Sequence, residues 1–202
     1  MKILTVSVAI LCTAAPAFAQ GLTKEERERA VTELQSTRKL FLDSAAGLSE
    51  AQWNFKPSPE VWSVAEAAEH IAVSEDTLLG LVTERIMKSP AQPEKRTEVK
   101  GKDAVIMERM VDRSHKAQAP EFLRPTHRWP TTQTLVDHFK ESRERTIGYV
   151  EHTEDALRDH VFEHPAFGLL DAYQWVQLIA THSHRHTLQI EEVKANASFP
   201  KQ

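Results

Sequence analysis

The chain has 202 residues, 41% of them hydrophobic, with a formal net charge of −4 at pH 7. That length and content suit one domain around a single sizeable core, and the mild acidity, without a basic cluster, argues against a nucleic-acid-binding role. One cysteine, Cys12, leaves no basis for a disulfide framework.

Residues 1–19 read as a secretory signal: Lys2, an apolar run from Ile3, then Ala17, Phe18 and Ala19 ahead of Gln20. The run is shorter than the roughly 20 residues needed to span a bilayer. Leu11 stands before Cys12 where a lipid-attachment signal would carry a small residue. The expected product is a soluble chain of residues 20–202, free of the membrane, in a bacterial periplasm or secreted. Cleavage removes Cys12, so any metal must be held by histidine, carboxylate or water.

Thr23 and Glu26 are spaced as a capping box and open a first helix with Val31, Leu34, Phe41, Leu42 and Ala45 inward, ending at Gly47. A short helical turn near Trp53 follows, and Pro57 and Pro59 then impose an extended connection. Ser63 and Glu66 form a second capping box, and the helix they start can run to Met87 with Val64, Ala67, Ala68, Ile71, Leu78, Val82 and Ile86 on its core stripe. His70 lies at the edge of that stripe between Ala67 and Ser74, small enough to let an imidazole reach inward.

From 89 to 130 the pattern breaks into polar, proline-punctuated sequence with one amphipathic segment over 103–115. An insertion of this length joining two long helices is either a lid over a site or a disordered arm. Thr131 and Thr134 start a third long helix carrying Leu135, Val136, Phe139, Ile147 and Val150 inward as far as His152. Residues 157–168 read as a connection, and a fourth helix begins near Asp171.

The stripe of that fourth helix is Trp175, Leu178, Ile179, Ile190 and Val193, and its missing inward positions are His182, His186 and Gln189. Two imidazoles one turn apart can serve one metal ion, or can be core histidines satisfied by hydrogen bonds. His184 points to the opposite side. Arg185 sits about 60° around the helix from His182, placed either to bind an anion or to form an ordinary ion pair. Four long amphipathic helices without a strand signal predict an all-α bundle. G-x-S-x-G, a phosphate-cradling glycine loop and H-E-x-x-H are all lacking from the sequence.

The order Trp62-Ser63-x-x-Glu66-x-x-x-His70, then His164-Pro-x-Phe-Gly168, then His182-x-x-Arg185-His186-x-x-Gln189-Ile190 resembles the DinB/YfiT-like superfamily. The resemblance implies an up-down-down-up four-helix bundle, with the long insertion between its second and third helices. It also implies a divalent metal, zinc or nickel, held by His70, His182 and His186, and a homodimer. Three imidazoles would leave one coordination position open. The family's activities include thiol-dependent S-transfer and metal-dependent hydrolysis of small molecules. Hydrolysis by metal-activated water fits an oxidising compartment better than thiol transfer does, and a metal-carrying bundle without catalysis is the remaining alternative. Glu66 and Gln189 are candidates to orient the ligands, Glu66 having its capping role as a sufficient explanation. N-terminal sequencing of the exported protein should begin near Gln20; an intact Met1 would overturn the export reading.

Overall fold

The computed structural model describes residues 21–115 and 118–201; the expected export signal at 1–19 lies outside them. Four long helices make the bundle: α1 (Lys24–Ala45), α3 (Val64–Leu81), α6 (Thr132–His152) and α7 (Ala172–Lys194). Between them come α2 (Glu50–Trp53), α4 (Arg96–Val99) and α5 (Lys102–Val111). Each long helix starts on a reciprocal cap, Thr23 with Glu26, Ser63 with Glu66, Thr131 with Thr134 and Asp171 with Gln174, which satisfies backbone N–H groups that the helix itself leaves open. The second long helix continues past Leu81 as a π turn at Val82–Ile86.

Cross-helix contacts fix the directions. Arg27, at the start of α1, donates to the carbonyls of Val150 and Thr153 at the end of α6, so these two run antiparallel. Tyr173 and Glu26 join the starts of α7 and α1, and Ser44 and Glu191 join their ends, so this pair is parallel. Glu69 bonds to residues just ahead of α6 and Glu75 to Arg143 within it, so α3 and α6 are parallel. The result is up-down-down-up, with α7 lying against both α1 and α3.

Two apolar clusters fill the bundle. One gathers Leu34, Ile86, Ile147, Leu178 and Ile179; the other gathers Phe41, Ile71, Phe139, Ile190 and Val193. A polar layer separates them. In it the guanidinium of Arg143, 0% exposed, forms a forked pair with Glu75 at 2.7 Å and donates to Thr37 Oγ1 and the Leu34 carbonyl, while Thr146 donates to Glu75. Every charge in this layer is met by fixed dipoles, the condition under which a buried pair is tolerated.

The connection 157–168 contains a feature that the sequence pattern did not predict: β1 (Val161–His164) pairs antiparallel with β2 (Gly168–Asp171), with Phe162 opposite Leu170 and His164 opposite Gly168. The strands are too short to produce alternation. The turn is closed locally, because His164 Nδ1 accepts from the N–H groups of Ala166 and Phe167 and Gly168 takes φ of 68°.

The 89–130 insertion folds over α7, with α5 occupying 102–111 of the expected 103–115. Arg185 ties it down by donating to the carbonyls of Met110, Asp112 and His115, and Arg113 pairs with Glu192.

Because removing one partner strands the other as a buried charge, Glu75→Ala should lose about 3–5 kcal/mol in urea unfolding. Lys39→Ala, which breaks the exposed pair with Asp43, should change stability by less than about 0.5 kcal/mol. Equal, small effects would refute the assignment of the Glu75–Arg143 layer as a fully desolvated network.

Candidate metal centre

His70 projects from α3 and His182 and His186 from α7, and one ring nitrogen from each lies within 4.8 Å of the others. The ring centroids are 4.4 Å apart for His70 and His186, 4.5 Å for His182 and His186, and 4.8 Å for His70 and His182. Ala67, one turn before His70, is fully buried and offers only a methyl group, so the ring can turn into the α3/α7 seam. His70 is 2% exposed.

Hydrogen bonds determine which nitrogens face inward. His70 Nδ1 stands 2.8 Å from the Leu123 carbonyl oxygen, and a carbonyl only accepts, so Nδ1 carries the proton. His186 Nδ1 donates in the same way to Gln189 Oε1 at 2.8 Å. Both rings therefore turn an unprotonated Nε2 toward the centre. His70 Nε2 meets His182 Nε2 at 3.2 Å.

The surroundings keep the three rings neutral. Burial pushes the pKa of His182 well below its ordinary value, and the charges that His186 and His70 would carry push it further. His186 is lowered to about 3, again by burial first and by His70 second. His70 is lowered by burial, against the opposing effect of its bond to Leu123. A neutral His182 can donate its Nε2–H to the lone pair of His70 Nε2, and a cation bound between the two nitrogens would take the place of the shared proton. The separation also fits such a cation, since tetrahedral bonds of 2.0–2.1 Å from zinc to imidazole place two nitrogens about 3.3 Å apart. Among the described residues the cluster contains no cysteine or carboxylate.

Of the proposed orienting residues, Gln189 bonds to His186, whereas Glu66 serves its cap and pairs with Lys56 at 2.8 Å. Arg185 is committed to the carbonyls of the insertion. His184 lines a cleft of about 250 Å³ with Leu40, Ser44 and Leu188 on the opposite side of α7. Trp62 stacks beside the centre, 5.0 Å from His70 and 6.2 Å from His186, while Trp53 and Trp175 pack in the core. The Leu123 carbonyl had no counterpart in the sequence reading, because a backbone oxygen has no residue-type signature.

The YuaE protein of Bacillus subtilis (strain 168), described as uncharacterized, is 28% identical over 148 residues, 73% of this chain and 86% of its own. A solved structure of YfiT from Bacillus subtilis, described as a probable metal-dependent hydrolase with an unusual four-helix bundle topology, superposes with a TM-score of 0.53. It is 15% identical, covering 86% of this chain and 88% of the other, which establishes likeness of fold. The family model of the DinB superfamily matches residues 33–190, most of the chain, and the protein belongs to that superfamily.

Proposed function

We propose that the chain is an exported metal-dependent hydrolase acting on a small-molecule substrate, with His70, His182 and His186 holding one divalent ion, zinc or nickel. The observation that carries this reading is the convergence of three imidazoles, one ring nitrogen of each within 4.8 Å of the others and His70 Nε2 3.2 Å from His182 Nε2. Three protein ligands are the pattern of an open, catalytic site rather than a closed structural one. When bound, the ion would supply Lewis acidity, lowering the pKa of a coordinated water toward ~7 and polarising a substrate oxygen.

The chain's own residues do the preparatory work. Leu123 and Gln189 accept the outer N–H groups of His70 and His186, fixing tautomer and ring orientation. Burial keeps the imidazoles unprotonated near neutral pH, as a ligand must be. Trp62 supplies an apolar wall on one side. The description of YfiT is compatible with hydrolysis, and export into an oxidising compartment would leave reduced thiol cosubstrates scarce.

A non-catalytic metal-carrying bundle is the second reading. What favours it is that two clefts, about 250 and 240 Å³, open between α1 and α7 and between α1 and α5, lined by none of His70, His182 and His186.

Protein purified without a histidine tag or added metal should contain near-stoichiometric zinc or nickel by elemental analysis. His70→Ala, His182→Ala and His186→Ala should each lose it; metal retained in His186→Ala would refute the ligand assignment. With the metal established, S-transfer without hydrolysis in a substrate screen would reverse the choice of reaction.

Acid should also weaken the metal-free fold. His186 titrates ordinarily near 6.5 and in the fold near 3, so between those values the unfolded chain binds more protons and stability falls as pH falls. The Tm of the metal-free protein should therefore drop from pH 7 to pH 4.5, and more steeply than that of His186→Ala. Parallel slopes would contradict a buried neutral histidine.

A further inference from the structure

Glu69 precedes His70 in sequence and is 3% exposed. Its carboxylate receives three successive backbone N–H groups from the far end of the insertion: Thr126 at 2.7 Å, His127 at 2.8 Å and Arg128 at 3.3 Å. Successive N–H groups turned onto one anion form a nest, and bonds to an ionised acceptor are roughly twice as strong as neutral ones. The conformation this requires is unusual, because His127 has φ of 60°, the left-handed region that few side chains occupy without a compensating interaction. Glu69 supplies that interaction. The Arg128 guanidinium lies 3.9 Å from the same carboxylate.

Leu123 stands three residues before Thr126 in a segment that is internally braced. Leu123 and Arg124 donate to Pro120 and Glu121, and Arg128 reaches back to the Phe122 carbonyl at 3.1 Å. Fixing 126–128 therefore fixes the turn that presents the Leu123 carbonyl to His70 Nδ1. Two adjacent residues of α3 thus grip the same segment, one by its N–H groups and the other by a C=O.

We infer that Glu69 is a positioning residue for His70: by anchoring 126–128 it holds the Leu123 carbonyl against His70 Nδ1 and so sets the tautomer and direction of that imidazole toward the metal. The inference rests on the metal reading above. Because Glu69 lies outside the ligand cluster, its effect on the ion must pass through the insertion and His70.

The test compares the mature chain with Glu69→Gln, Glu69→Asp and Phe41→Leu. The last loosens the Phe41–Phe139 contact between α1 and α6, helices that carry neither Glu69 nor any of the three histidines, and serves as a control for loss of stability alone. Zinc affinity is measured by competition with a chromogenic chelator, the Co(II) absorption spectrum reports ligand geometry, and the His70 Nδ1–H proton is followed by NMR. Loss of an outer partner of a ligating histidine typically lowers metal affinity 10–100-fold, and Glu69→Gln should lose affinity on that scale with an altered Co(II) spectrum and a rapidly exchanging Nδ1–H. Phe41→Leu should retain all three properties of the parent at whatever Tm it has. Should Glu69→Gln not fold, Glu69→Asp, which keeps the charge but withdraws it by one methylene, is read the same way. Parent-like affinity and spectrum in the folded Glu69 variant would overturn the positioning role alone. A parent protein that takes up neither zinc nor cobalt would overturn the metal reading, and the inference with it.

Discussion

The 3.2 Å approach of His70 Nε2 to His182 Nε2 depends on rings that are held in place, since rings free to turn would separate. Much of the surrounding structure resists that separation. The antiparallel packing of α3 on α7 brings one ligand up to two others spaced by a helical turn, and outer hydrogen bonds to Leu123 and Gln189 prevent two of the rings from rotating away. Burial suppresses protonation to imidazolium, which would place a charge in a desolvated site. A cation bound between these nitrogens would replace the proton there without moving any of these elements.

The bundle can hold a polar centre because its core is already divided. Along α7 the lower cluster ends at Ala180 and the upper resumes at Ile190, and the histidines fall between. The same interruption occurs in the other helices, at Thr37 in α1, Glu75 in α3, and Arg143 and Thr146 in α6. Two polar systems thus lie close together along the bundle, His70 on α3 standing just before Glu75 at the edge of the second cluster. The Glu75–Arg143 network is self-sufficient, each charge answered by its partner or a hydroxyl, whereas the inward nitrogens of the imidazole cluster have only one another. That contrast separates a structural polar layer from one built to receive something.

What was legible in the sequence followed from local rules. Capping boxes at Thr23 and Ser63 and apolar stripes located the long helices, and the gap in the stripe of α7 located His182 and His186. His70 was assigned by the resemblance of its Trp62-Ser63-x-x-Glu66-x-x-x-His70 pattern, its small neighbours leaving it room to turn inward. What was not legible depends on contacts distant along the chain. Nothing local distinguishes Arg143, whose partner lies 68 residues away, from an exposed arginine, and the carbonyl of Leu123 reaches His70 from 53 residues away. The π turn at Val82–Ile86 and the four-residue strands at Val161–His164 and Gly168–Asp171 also escaped, being shorter than a periodic signal.

The insertion occupies a position that follows from these contacts. It is bound to the bundle through residues adjacent to the ligands: Arg185 lies between His182 and His186 and holds the carbonyls of 110, 112 and 115, and Glu69 precedes His70 and holds the N–H groups of 126–128. Adjacent residues on a helix share its rigid backbone while pointing in different directions, so α3 and α7 each present a ligand inward and an anchor toward the insertion at the same level. Lifting the insertion would therefore break contacts on the very turns that carry the ligands, removing the Leu123 carbonyl from His70 in the same motion. Opening of this segment and release of the His70 ring from its outer partner are consequently one event in this fold.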